Sequence, residues 1–85
     1  MKTIEKILDI EITTNNERER RLVRIINQKI ELCDTWLKEN AYGDKTERII
    51  YKNIDEINNV FSALYFMNLT EIPTILNKLY DKFNI

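Results

Sequence analysis

The sequence predicts an all-α fold, a small antiparallel bundle of three principal helices preceded by a short N-terminal helix or arm. Three observations carry this. Apolar residues recur every three to four positions over long stretches. Polar clusters with helix-start chemistry separate those stretches. The 85 residues include one Gly and one Pro, too few turn formers for a chain of many short strands. At this length a single domain is expected, with a thin core.

Residues 15–40 are predicted as the first long helix. Thr14-Asn15-Asn16-Glu17 reads as a capping box: the Thr14 hydroxyl would accept a free first-turn N–H while Glu17 reaches back. Val23, Ile26, Ile30, Cys33 and Leu37 form its apolar stripe. A second stripe, Leu22, Ile25, Leu32 and Trp36, runs beside it with Lys29 as its one polar gap. Gly43 sits where a left-handed residue would stop this helix. Asp44-Lys45-Thr46-Glu47 then reads as the next capping box, with Asp44 as the cap.

Residues 45–68 are predicted as the second helix, on Ile50, Ile54, Ile57, Phe61 and Leu64. Residues 71–84 are predicted as the third, on Ile72, Leu76, Leu79 and Phe83, with Pro73 in the first turn, where its missing N–H does no harm. Short links between long helices predict antiparallel neighbours. Residues 1–14 fit two patterns. Ile4, Ile7 and Leu8 suit a helical face, whereas Leu8, Ile10 and Ile12 alternate as a strand does. A short helix or extended arm packed on the bundle is the expectation.

Composition narrows the function. The net charge is −1, so no global basic field favours nucleic acid or anionic lipid. Histidine is absent, which removes Ser-His-Asp and Cys-His catalysis and His-ligated zinc. One glycine cannot build a Gly-rich phosphate loop. No metal or other cofactor is expected. Cys33 has no partner for an internal disulfide, and Asp9 and Glu11 break any signal-peptide apolar stretch. The longest near-apolar run, Val60 to Met67, is far short of a membrane span. A cytoplasmic location is expected.

Four of the five arginines, Arg18, Arg20, Arg21 and Arg24, fall within seven residues. Guanidinium groups grip oxyanions in bidentate fashion, so they are candidate contacts for an anion or acidic partner. Glu17 and Glu19 dilute the cluster, and a solvated first turn is the plainer reading. In the second helix Val60 to Met67 is apolar nearly all round. Tyr65, Phe66 and Met67 are therefore candidate protein-binding anchors, with Trp36 of the first helix. Cys33, on the core stripe and without a neighbouring base, is expected to be a small core hydrophobe.

The stretch Tyr51-Lys52-Asn53-Ile54-Asp55, continuing to Phe61, resembles the second helix of the small aspartyl-phosphate phosphatases that act on sporulation response regulators. Their signature reads Ser-Gln-Glu-Leu-Asp, followed by apolar residues and a Tyr. Ile54-Asp55 and Phe61 fall in step with the Leu-Asp and the Tyr, while Tyr51 and Lys52 replace the Ser and Gln. The resemblance covers about eleven residues and implies an antiparallel helical hairpin.

The function expected from these residues is a non-enzymatic protein–protein interaction module, a small helical adaptor or inhibitor of the kind made by bacteria and phages, working as a homodimer. A nucleic-acid-associated regulator using the Arg18 to Arg24 turn is the alternative, and a phosphatase-like hairpin is a further one.

Overall fold

The computed structural model describes residues 2–63 and 71–84. Two strands, β1 (Thr3–Ile7) and β2 (Ile10–Thr14), precede three helices: α1 (Glu17–Glu39), α2 (Asp44–Phe61) and α3 (Glu71–Phe83). The mostly helical architecture agrees with the sequence. The N-terminal segment, expected as a short helix or an extended arm, is extended, and its two strands pair as an antiparallel β-hairpin, so the fold is not all-α.

The hairpin pairs Thr3 with Thr14, Glu5 with Ile12 and Ile7 with Ile10, leaving Leu8 and Asp9 as a two-residue turn. Strand geometry sends alternate side chains to opposite faces. One face carries Ile7, Ile12 and Thr14, all buried, and the other carries Ile4, Lys6, Glu11 and Thr13, all exposed. The period-two reading of Ile10 and Ile12 was thus the one that decides the local structure. Helical spacing of Ile4, Ile7 and Leu8 loses because it would leave Ile12 without a place in the core. Leu8 has φ 57, the left-handed region, at the first turn position. Two-residue hairpin turns require such an angle, and glycine is usual there. A leucine holds it at a cost of roughly 1–2 kcal/mol.

Helix α1 starts two residues later than its capping box predicted. Asn16, not Thr14, is the cap: its side chain accepts from the Glu19 N–H at 2.9 Å, and Glu19 Oε1 accepts from the Asn15 N–H at 2.7 Å. Thr14 is occupied at the end of β2, where its hydroxyl donates to the Thr3 carbonyl and shares a 2.8 Å hydrogen bond with the Thr3 hydroxyl. Glu19, at the third helical position, takes the part expected of Glu17, except that its carboxylate accepts from the N–H of Asn15, one residue before the cap.

The α1–α2 turn also departs from expectation. Gly43 is not left-handed; its φ is −172, extended backbone open to any residue. It is the N-cap of α2, without a side-chain cap, and Asp44 is the first helical residue. Helix α1 instead ends at Asn40, whose backbone N–H and side-chain amide both donate to the Trp36 carbonyl. The turn is then tied from within: Trp36 Nε1 donates to Thr46 Oγ1 at 3.0 Å, and that hydroxyl donates to the Ala41 carbonyl at 2.9 Å. The left-handed stop occurs at Asn84 (φ 59), just past α3. Asparagine tolerates that region better than most residues.

Helix α2 ends at Phe61, earlier than residue 68. Ala63 donates to the Val60 carbonyl, and the Ser62 hydroxyl donates to that of Asn59, closing the last turn tightly. The all-round apolar helix expected over Val60 to Met67 therefore stops after its second residue, and Leu64 to Thr70 lie outside the described residues.

One core joins the elements. Val23, Ile26, Ile30 and Cys33 of α1 meet Ile50, Ile54, Ile57 and Phe61 of α2, Ile75, Leu79 and Phe83 of α3, and Ile7 and Ile12 of the hairpin. Ile75 was absent from the expected α3 stripe, although it lies three residues from Ile72 and four from Leu79. The ion pairs report direction. Lys29 to Glu56 and Trp36 to Thr46 make α1 and α2 antiparallel. Lys78 to Asp9 and Lys82 to Asp34 make α3 parallel to α1 and tie it to the hairpin turn.

Candidate protein-binding surfaces

The second stripe of α1 lies at the flank of the core, where the ridge of α2 covers only part of it. Lys29 is turned to Glu56 of α2 at 2.7 Å, which holds the Glu56 carboxyl below its usual range through that hydrogen bond and the lysine charge. Leu22, Ile25 and Trp36 are half-buried beside it, and Leu32 is 60% exposed. Leu32 and Trp36, four residues apart, are neighbours on this face, and Lys29 separates them from Leu22 and Ile25. The polar gap at Lys29 was the sequence signal that this stripe is not core.

Trp36 is positioned by its hydrogen bond to Thr46 and carries the Lys45 ammonium 5.5 Å from its ring. It buttresses the α1–α2 turn and also contributes to the outer strip. Tyr65, Phe66 and Met67, the other expected anchors, lie outside the described residues.

The arginine cluster divides into two halves. Arg20 bonds Glu17 through Nε and an NH2 group, the latter at 2.7 Å, and reaches the Thr3 hydroxyl. Arg24 stands 3.7 Å from Glu5 of β1 and 3.8 Å from Glu17. These two join α1 to the hairpin, a role the sequence reading did not assign. The arginine side chains, Arg20 first, hold the Glu17 carboxyl below its usual range. Arg18 and Arg21 are exposed and make no hydrogen bond or salt bridge among the described residues, though the Arg21 charge also acts on Glu17. The structure therefore does not gather the four guanidinium groups into one site.

Asp55 is exposed on α2 with no partner among the described residues. Cys33 is fully buried, and burial first, with Asp34 second, pushes its thiol up to about 11. At neutral pH the nucleophilic thiolate is scarce. A shallow depression of about 330 Å³ is lined by Asp44, Glu47, Arg48 and Tyr51 at the start of α2. Among the described residues no group of three potential ligands could hold a metal ion, and no helix is long and apolar enough to cross a membrane.

The hairpin adds a feature that the sequence reading missed. With Ile7 and Ile10 closing a two-residue turn, the hydrogen-bonded pairs are 7–10, 5–12 and 3–14. The backbone groups of Ile4 and Lys6 then face outward from β1, and those of Glu11 and Thr13 face outward from β2. Asn27 Nδ2 of α1 donates to the Lys6 carbonyl at 2.7 Å, as that parity requires. On the β2 side no hydrogen bond reaches Glu11 or Thr13 backbone among the described residues. The signal was present in the alternation of Ile10 and Ile12.

Comparison with protein-family models, with characterised proteins and with solved structures finds no match for this chain.

Proposed function

We propose that this chain is a non-enzymatic protein–protein interaction module, a small helical adaptor or inhibitor that works as a homodimer. The observation that supports the reading is the outer strip of α1. Leu32 stands 60% exposed between half-buried Ile25 and Trp36, on a helix capped at both ends. Apolar strips rimmed by charge are typical of surfaces that other proteins cover.

Affinity capture with the tagged wild type and with Leu32→Asp tests it. A partner held by the wild type and released by Leu32→Asp is the expected result. Identical captured sets from the two would overturn the reading. The exposed Arg18 and Arg21 favour a second reading, binding of a nucleic acid through this turn. It predicts affinity for DNA or RNA that falls steeply with salt. Absence of any such binding at low salt dismisses it.

A further inference from the structure

The two edges of the hairpin are treated differently. β1 lies along α1: Asn27 caps the Lys6 carbonyl, Arg20 reaches Thr3, and Arg24 stands by Glu5. Glu5 also points its charge to the inner face, a device that discourages further pairing. β2 carries none of this. Its five residues pair without a bulge, contain no Pro or Lys, and end in two threonines. Glu11 and Thr13 are exposed, and their outward N–H and C=O groups have no hydrogen bond among the described residues. Among the described residues this edge is open, and an unpaired strand edge is a template for a further strand.

We propose that the β2 edge joins the β2 edge of a second copy of this chain, antiparallel about a two-fold axis at Ile12, to form a four-stranded sheet. Parity leaves axes at Glu11, Ile12 or Thr13, and the last would need the Asn15 N–H that Glu19 Oε1 already holds. Only Glu11 and Thr13 point outward, so the narrow hydrogen-bonded pairs must be built from them. A two-fold axis at Ile12 sets Glu11 of each copy opposite Thr13 of the other, and four backbone hydrogen bonds close. An axis at Glu11 would instead set two carboxylates directly opposite each other, which is destabilising. In the selected register each Glu11 keeps Lys6 across its own hairpin and meets a neutral threonine across the new one. The two-fold contact is isologous, as most small homodimers are. The inference deepens the homodimer reading above and rests on it.

Proline at an outward-facing edge position removes a donor that the monomer does not use. Sedimentation equilibrium of the full chain from 1 to 100 μM, wild type against Thr13→Pro, is the test. The wild type is expected to sediment as a dimer of the 10.3 kDa chain, and Thr13→Pro to weaken association about tenfold or more with an unchanged circular dichroism spectrum. A wild-type monomer throughout that range overturns the proposal. So does a dimer that Thr13→Pro leaves intact; Leu32→Asp then shows whether the α1 strip holds it, which would sustain the broader reading. Should Thr13→Pro fail to fold, the double variant Glu11→Cys/Thr13→Cys decides. Oxidation should link position 11 of one copy to position 13 of the other, within disulfide reach in this register. No such cross-link overturns the proposal.

Discussion

The helical pair and the β-hairpin feed the same core by different means. α1 and α2 contribute four buried apolar residues each, so their contact is a row of side chains repeated along two helices. The hairpin contributes two, Ile7 and Ile12; it is closed on itself by Thr14 to Thr3 and fastened to the helices by Asn27 to the Lys6 carbonyl, Arg20 to Thr3 and Lys78 to Asp9. Per residue buried the two isoleucines are as deep as any in the helices. The difference teaches that a small domain can add a sheet to a helical core with two good side chains, provided polar bonds from the helices fasten the strand that lies against them.

The largest effects should come from the shared core. Ile54→Ala and Ile7→Ala are each expected to cost about 2–5 kcal/mol, since both delete fully buried methyl groups. Urea unfolding followed by circular dichroism should show one transition in both variants. A second, earlier transition in Ile7→Ala alone would break the comparison by showing that the hairpin melts by itself. Next in size is the fastening of the hairpin. Thr14→Val keeps the shape and removes a buried hydroxyl with two bonds, at an expected cost of about 1–2 kcal/mol.

The two N-caps differ in the same instructive way. Asn16→Ala should lose about 1 kcal/mol, because a side-chain bond to Glu19 disappears. Gly43 makes no such bond, and a Cβ there would meet nothing within 4 Å. Gly43→Ser should therefore raise the melting midpoint, by about 0.5–1 kcal/mol equivalent. A fall would mean the turn needs glycine after all.

The smallest effect is electrostatic. Folding lowers the Glu56 pKa through Lys29, so this pair stabilises the protein above the unfolded glutamate pKa of about 4.3. That contribution is lost as the pH falls through the lower, folded value. In Glu56→Gln the acid side of the stability profile should flatten slightly, while the profile at neutral pH shifts little, since exposed pairs are weak.

The helices were legible because their evidence accumulates. Ile50, Ile54, Ile57 and Phe61 repeat one signal over three turns, and all four are buried. The hairpin has five residues per strand, room for two or three alternations, and its turn lacks the Asn-Gly or Asp-Gly that marks most two-residue loops. Cap position failed for a related reason. Thr14 and Asn16 both have cap chemistry, and only the strand ending at Thr14 decides which is free to use it. Of the site residues, the Lys29 gap marked the second stripe as outside the core, but which of its members stands exposed, Leu32, depends on tertiary packing. The split of the arginines depends on the hairpin that was not foreseen.

The leucine at the hairpin turn has a kinetic consequence. A free hairpin with Leu8 held left-handed would have to meet that strain with two strands alone, and isolated hairpins are marginal even with favourable turns. The strands therefore close late, on a surface already made by α1. Local contacts within and between α1 and α2 come first, as short-range helical contacts generally do. Mutations at Ile7 or Thr14 should accelerate unfolding and leave the refolding rate nearly unchanged, whereas Ile26→Val or Ile54→Val should slow refolding. Stopped-flow chevrons read both limbs. Slowed refolding in Thr14→Val would place the hairpin in the folding nucleus and reverse the order.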